Sequence, residues 1–88
     1  MPTSQVNEIS IVIPAYNEEK AVAEQITKLQ RVLNEHQTTY EIIVVDDGSN
    51  DNTAEKASLT GTQVIKHIRN KGYGAALKTG IRASQYAY

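Results

Sequence analysis

The sequence predicts an α/β fold: a three-stranded parallel β-α-β-α-β-α half of a doubly wound sheet with spatial strand order 3-2-1. Two observations predict it. Runs rich in β-branched residues occur at 9–13, 40–45 and 64–68, and each is followed by a stretch with helical character. Strands that alternate with helices pair in parallel through right-handed crossovers. Laying each strand outside the one before it gives the order 3-2-1.

The first strand is predicted over 9–13, and Pro14 is expected to end it because proline cannot donate to the next ladder position. The first helix is predicted to begin at Asn17, a good N-cap, and to run to about His36. Two acidic residues follow Asn17 and suit the positive first turn of a helix. Apolar residues at spacings of four, three and four predict one buried stripe on this helix, formed by Val22, Ile26, Leu29 and Leu33.

The second strand contains a continuous β-branched run, 42–45, which is typical of a strand buried on both faces of a parallel sheet. Gly48 permits a tight turn after it. Residues 49–52 offer side-chain oxygens that can cap a helix beginning at Thr53. This second helix is predicted to end near Leu59, before a Thr-Gly-Thr stop.

The third strand, 64–68, is shorter and more polar, as expected for a strand at the edge of a sheet. Residues 70–74 form a loop, and a last helix is predicted from Gly74 to Tyr88. Small residues at helical spacing, which let a helix backbone lie close to its neighbour, are Ala76, Gly80, Ala83 and Ala87.

The segment 70–79 has the glycines and the Lys78-Thr79 pair of a phosphate-binding loop, but its spacing excludes that motif. A P-loop requires glycine immediately before the lysine, and the dinucleotide fingerprint requires glycine or alanine there, whereas this chain has Leu77. The helix N-terminus at Gly74, with Lys71 beside it, is either an anion site or a plain turn.

Asp46 and Asp47 end the second strand and have three functional interpretations: a metal site, a general acid–base pair, or acceptors for the N–H groups of a ligand. A structural role, in which one carboxylate caps the following helix, is the alternative to all three. The sequence does not place His36 or His67 to complete a metal site.

Tyr16 and Glu18 lie just past the first strand, and the carboxyl ends of neighbouring parallel strands meet at one rim of the sheet. An aromatic ring beside carboxylates suits a nucleobase, because the ring stacks and the acids accept base N–H groups. Taken singly, Tyr16 is more often a packing residue and Glu18 a first-turn charge. Together with Asp47 they predict a nucleobase site.

Three motifs in order, IVIPAYNEE at 11–19, IVVDDGSNDNT at 43–53 and NKGYGAALKTGI at 70–81, resemble the start of inverting family 2 glycosyltransferases with the GT-A fold. Within that family the sequence resembles the group of dolichol-phosphate mannosyltransferases and polyprenyl-phosphate glycosyltransferases. The resemblance implies that residues 1–88 are the N-terminal nucleotide-binding half of a truncated GT-A domain.

The resemblance also implies a UDP- or GDP-linked sugar donor and an acceptor such as a polyprenyl phosphate. Lys71 is expected near the phosphates, and Asp47 is expected to accept from the base. The nucleotide-sugar-binding residues that it implies are Pro14, Tyr16, Glu18, Val45, Asp46, Asp47 and Lys71.

The sequence lacks two parts of the family pattern. Such enzymes hold a divalent metal, Mg or Mn, through an Asp-x-Asp motif on a strand that would follow the last helix, and this chain has neither that motif nor an acceptor-side base. Direct displacement at the anomeric carbon needs both parts. We therefore expect no catalytic residue, no metal ligand and no transferase activity in the 88-residue chain alone.

No strand follows the last predicted helix, so the first strand is expected to have an unpaired outer edge. Exposed ladder groups recruit other strands. This predicts a homo-oligomer assembled through that edge. It also gives an alternative function, a non-enzymatic nucleotide-binding or self-assembling α/β module.

Composition excludes other classes. A net charge of -1 and a pI near 6.1 provide no basic field for nucleic acid, and the absence of cysteine removes disulfides and thiolate sites. No apolar run approaches the roughly 20 residues of a membrane span, and residues 1–7 are too polar for a signal peptide. We expect a cytoplasmic chain, with a peripheral membrane position of the full-length protein where its acceptor is membrane-bound.

Overall fold

The computed structural model describes residues 8–86. Its three strands form one parallel sheet in the order β1-β2-β3, which is the predicted 3-2-1 order read from the opposite edge. The α/β fold class is therefore confirmed. The elements in chain order are β1 (Glu8–Ala15), α1 (Val22–Glu35), β2 (Thr39–Asp46), α2 (Thr53–Ser58), β3 (Gln63–Lys66) and α3 (Tyr73–Ala83).

The central strand β2 is buried on both faces, as predicted from its β-branched run. Ile42 and Val44 pack into one cluster with α1 and α2, and Ile43 and Val45 pack into another with Ala76 of α3. Each of these four side chains is at most 3% exposed. Full burial of an aliphatic side chain contributes about 1.5–3 kcal/mol relative to exposure, so these four side chains stabilise the core on both faces of the sheet.

The prediction that Pro14 ends the first strand is wrong. β1 continues to Ala15, and Pro14 stands opposite Val45 in the ladder. The Ala15 carbonyl accepts a hydrogen bond from the Asp47 N–H at 2.8 Å. Since alternate residues of a strand point their backbone groups to opposite sides, the Pro14 nitrogen faces away from β2, where no ladder donor is needed.

The prediction that Asn17 caps the first helix is also wrong. α1 begins at Val22 after a single turn, and Asn17 adopts a left-handed conformation with φ 53°. Its backbone N–H donates to Ser49 Oγ at 2.8 Å, and its side-chain oxygen accepts from Asn50 N at 2.9 Å. These contacts with the loop after β2 replace the local capping contact. The predicted apolar stripe and the helix end near His36 are confirmed.

The last two elements are shorter than predicted. β3 ends at Lys66 rather than at residue 68, and beyond its end the His67 side chain is buried while Ile68 is 98% exposed. α3 ends at Ala83, and the chain after it is fixed to the sheet, where Tyr86 N donates to Ser10 Oγ at 2.8 Å. The predicted continuation of the helix over 84–86 is therefore wrong, and its last two residues, including Ala87, lie outside the described residues.

Gly80 confirms the predicted close approach of the last helix to the sheet. It is buried on α3, and a Cβ built on it would overlap the side chain of Val12 on β1. The α3 backbone therefore packs directly on the edge strand.

The helices are short. α1, α2 and α3 contain 14, 6 and 11 residues. Crossing a bilayer requires about 20 apolar residues, and none of the helices within 8–86 has the length and apolarity to do so.

Candidate functional site

A groove of about 250 Å³ lies at the carboxyl ends of β1 and β2, and we call it the strand-end groove. The rim beyond the carboxyl ends of parallel strands is where ligands bind in open α/β sheets. Tyr16, which is 44% exposed, stands in its wall. The groove is lined by Pro14, Ala15, Tyr16, Asp47, Asn70, Gly72, Tyr73 and Ala76.

Asp47 is 4% exposed and accepts three hydrogen bonds from the chain that follows β3. Its Oδ1 accepts from His67 Nδ1 at 2.7 Å and from Lys71 N at 2.9 Å, and its Oδ2 accepts from Gly72 N at 2.8 Å. A carboxylate offers about four acceptor positions. About one position therefore remains for a ligand in the groove.

These donors lower the pKa of the Asp47 carboxyl below its ordinary value of 3.8. The hydrogen bond from His67 is the largest cause, burial opposes it, and the N–H groups of Lys71 and Gly72 add to it. A lowered folded-state pKa contributes stability that is present above the unfolded-state pKa and is lost as pH falls through the folded value. Asp47 is thus an ionised acceptor at neutral pH.

Asp46 is 2% exposed and has a structural role, but it does not cap α2. Its Oδ1 accepts from the backbone N–H of Ser49 at 3.2 Å and from the Ser49 hydroxyl, so it closes the turn after β2. The N–H of Thr53 at the start of α2 instead donates to Asp51 Oδ1 at 3.0 Å. The alternative in which Asp46 or Asp47 caps this helix is therefore not what the structure has.

The loops after β1 and β2 are joined by hydrogen bonds. Glu18 N donates to Thr53 Oγ1 at 2.8 Å, Glu19 N donates to Asp51 Oδ2 at 3.3 Å, and Asn52 N donates to Glu19 Oε1 at 2.8 Å. The Thr53 hydroxyl, followed by backbone N–H groups, also lowers the pKa of Asp51. These contacts hold Asp51 ionised between the two loops.

The structure brings together three of the seven predicted binding residues, Pro14, Tyr16 and Asp47, in the strand-end groove. Glu18 lines a neighbouring pocket of about 320 Å³ with Asn17 and Asp51.

The other three predicted residues lie elsewhere. Asp46 is buried in the turn after β2, and Val45 is 0% exposed in the core, so neither side chain lines the groove. Lys71 lines a separate basin of about 470 Å³ with Lys66 and Arg69. Contacts between these residues and a nucleotide stay a prediction.

Sequence reasoning missed His67 and Thr79. The His67 side chain is 7% exposed and lies between Asp47 and Thr79 Oγ1, which is 2.8 Å from its Nε2. One signal was available: His67 follows β3, and the ends of adjacent parallel strands meet at the same rim as Asp47.

The residues at this rim do not fit a divalent metal. Mg²⁺ and Ca²⁺ require several converging oxygen ligands. Asp46 and Asp47 already accept hydrogen bonds from Ser49, His67, Lys71 and Gly72. Across residues 8–86, no group of three His, Asp or Glu side chains is placed to hold a metal ion.

Comparisons with known proteins agree with this geometry. An uncharacterized protein of Methanocaldococcus jannaschii is 43% identical over 86 residues, covering 92% of this chain and 33% of that protein. A dolichyl-phosphate beta-glucosyltransferase of Mus musculus is 35% identical over 94 residues, covering 93% and 29%. An undecaprenyl-phosphate 4-deoxy-4-formamido-L-arabinose transferase of Proteus mirabilis is 38% identical over 74 residues, covering 80% and 23%.

Solved structures share the fold. Glucosyl-3-phosphoglycerate synthase from Mycobacterium tuberculosis, in complex with Mn²⁺, uridine diphosphate and phosphoglyceric acid, superposes with a TM-score of 0.74 at 29% identity. The match covers 89% of this chain and 29% of that chain. Mannosyl-3-phosphoglycerate synthase from Rubrobacter xylanophilus gives a TM-score of 0.76 at 27% identity, covering 89% and 27%.

This chain spans about a third or less of the length of the proteins that it matches. The family model for glycosyl transferase family 2 matches residues 10–88, which is nearly the whole sequence. The sheet order and the rim at which Tyr16 and Asp47 meet are those that the motifs led us to expect. The chain belongs to glycosyl transferase family 2.

Proposed function

We propose that this chain is the donor-binding half of a family 2 glycosyltransferase and binds the nucleoside of a UDP- or GDP-linked sugar in the strand-end groove. The single observation that supports this most is the placement of the Tyr16 ring and the ionised Asp47 carboxylate in one groove. The ring offers a stacking face, and the carboxylate accepts an N–H group of the base.

The size and chemistry of the groove support a nucleoside. At about 250 Å³ it is slightly smaller than a typical small-molecule pocket of about 300–1,000 Å³, so the base and ribose suit it better than a complete nucleotide sugar. Gly72 lines the groove, and Lys71, the preceding residue, lines the basin with Lys66 and Arg69. The phosphates of the donor would be attracted by these cations.

The full-length protein would transfer the sugar to an acceptor such as a polyprenyl phosphate by direct displacement at the anomeric carbon. The names of the mouse and Proteus mirabilis relatives, a dolichyl-phosphate and an undecaprenyl-phosphate sugar transferase, support this acceptor class. We propose a cytoplasmic protein that lies peripherally at the membrane where its acceptor is membrane-bound. A Mg or Mn ion would be held by residues other than 8–86. We expect the 88-residue chain to bind donor without turning it over.

Calorimetric titration of the chain with UDP and GDP tests this proposal. Tyr16→Ala is expected to weaken binding about tenfold, because base stacking contributes about 1–3 kcal/mol. Asp47→Asn is expected to weaken it by a similar factor through loss of a charge-assisted hydrogen bond.

Two variants serve as controls for that titration. Tyr16→Phe keeps the ring and should bind like the parent chain. Glu24→Gln, on the exposed face of α1, should also leave affinity unchanged. Equal affinities for Tyr16→Ala and the parent chain, or no binding of either nucleotide, would contradict the proposed site.

We propose a second property, assembly of a homo-oligomer through the outer edge of β1. Among the described strands, β1 pairs only with β2, and its other edge spans eight residues. Exposed ladder groups favour pairing with another strand. Sedimentation velocity with and without UDP is expected to show a dimer or larger species, and a monomer at every concentration would exclude this assembly.

A further inference from the structure

His67 is fixed at both ring nitrogens. Nδ1 lies 2.7 Å from Asp47 Oδ1, and Nε2 lies 2.8 Å from Thr79 Oγ1 on α3. Its backbone N–H donates to the Asp46 carbonyl at 2.8 Å. An ionised carboxylate can only accept, so Nδ1 carries a proton and donates to Asp47.

We propose that His67 is a positioning residue for nucleoside binding, which orients the Asp47 carboxylate and stabilises its charge so that its remaining acceptor position serves the strand-end groove. This inference rests on the function proposed above. His67 does not line the groove itself, so it would act through Asp47 rather than by touching the ligand.

The surroundings of Asp47 explain why such a residue is needed. Asp47 is nearly completely buried. Burial raises the pKa of its carboxyl and so favours the protonated form, which would lose acceptor capacity. The cationic side chains in this region are Lys66, Arg69 and Lys71, which line one basin together with His67.

The remaining packed elements supply no charge to Asp47. α3 contributes the neutral Thr79 beyond His67, and β1 with its following loop contributes Pro14 and Tyr16 to the groove. His67 is therefore the only side chain among residues 8–86 that donates a hydrogen bond to the Asp47 carboxylate.

Two isosteric substitutions separate the two contacts of the ring. The side-chain NH₂ of His67→Asn can take the place of Nδ1 and keep the donor to Asp47, whereas that of His67→Gln can take the place of Nε2 and keep the contact with Thr79. His67→Leu removes both. Thr79→Val removes only the Thr79 contact and serves as a control on α3.

UDP affinity, measured by calorimetry, is the first readout. We expect His67→Leu and His67→Gln to weaken UDP binding about tenfold, as for loss of a hydrogen bond to a charged group. His67→Asn and Thr79→Val are expected to stay within about threefold of the parent chain. A simple tether between β3 and α3 through Thr79 would be kept by Gln and lost in Asn. Equal losses for Asn and Gln, or a larger loss for Asn, would therefore overturn the inference.

Titration of the Asp47 carboxyl carbon by NMR is the second readout, and it needs no nucleotide. Because the His67 hydrogen bond is the main cause of the lowered pKa of Asp47, the Leu and Gln variants should titrate at higher pH than the parent, and the Asn variant should not. An unchanged titration in His67→Leu would overturn the role of His67 even where UDP still binds. Failure of the parent chain to bind either UDP or GDP, with the titration shifted as expected, would overturn the proposed function and leave the effect of His67 on Asp47 standing.

Discussion

Gly48→Ala is expected to lower the free energy of unfolding by about 3 kcal/mol, through left-handed backbone strain and a backbone collision. Gly48 has φ +76°, which costs an alanine about 1 kcal/mol. A Cβ at this position would also meet the backbone of Arg69 and Asn70, with Arg69 Cα at 2.9 Å. That backbone cannot easily withdraw, because Asn70 Nδ2 donates to the Asp47 carbonyl at 3.2 Å.

Gly61→Ala is the matched control for this measurement. Gly61 has φ +84°, and a Cβ built there has no neighbour within 4 Å. Urea unfolding is expected to show a cost of about 1 kcal/mol at Gly61, from backbone strain alone. A cost at Gly48 no greater than that at Gly61 would mean that the turn after β2 does not pack against the loop after β3.

Gly80→Val is expected to destabilise the chain by about 3 kcal/mol, because it inserts a branched side chain between α3 and β1. A Cβ on Gly80 would overlap Val12, with Cγ2 at 2.9 Å and Cγ1 closer still. Either α3 must lift from the sheet or Val12 must leave its position. Both changes disturb the cluster that contains Ile43, Val45 and Ala76.

Combining Gly80→Val with Val12→Ala tests the contact directly. The smaller residue on β1 makes room for the new side chain, so the double variant is expected to cost less than the sum of the single variants by about 1 kcal/mol or more. The coupling is read from urea unfolding of the four proteins. Additive costs would show that Gly80 and Val12 are not in contact.

The sheet could be predicted from sequence because its signals are local. The run from Ile42 to Val45 marks a strand buried on both faces, and the stripe from Val22 to Leu33 marks one helix face. The start of α1 could not be predicted in this way. Asn17 has the local chemistry of an N-cap, but its hydrogen bonds go to Ser49 and Asn50, 32 and 33 residues away.

The candidate site, like the fold, could be predicted from sequence only in part. Topology alone predicts that Tyr16 and Asp47 meet, because both follow neighbouring parallel strands. The hydrogen bonds that occupy Asp47 come from residues 20 to 25 positions later, in a loop whose path depends on the left-handed Gly48 and the inward turn of His67. Side-chain pairing at that separation has no periodic signal in the sequence.

The most direct test of a nucleoside site in the strand-end groove is an NMR titration of the ¹⁵N-labelled chain with UDP and, separately, with GDP. With the nucleotide that binds, we expect saturable amide shifts at Ala15, Tyr16, Asp47 and residues 70–73, and no change on the exposed face of α1. Shifts confined to other parts of the chain, or no saturable shift with either nucleotide, would contradict the proposed placement of the nucleoside.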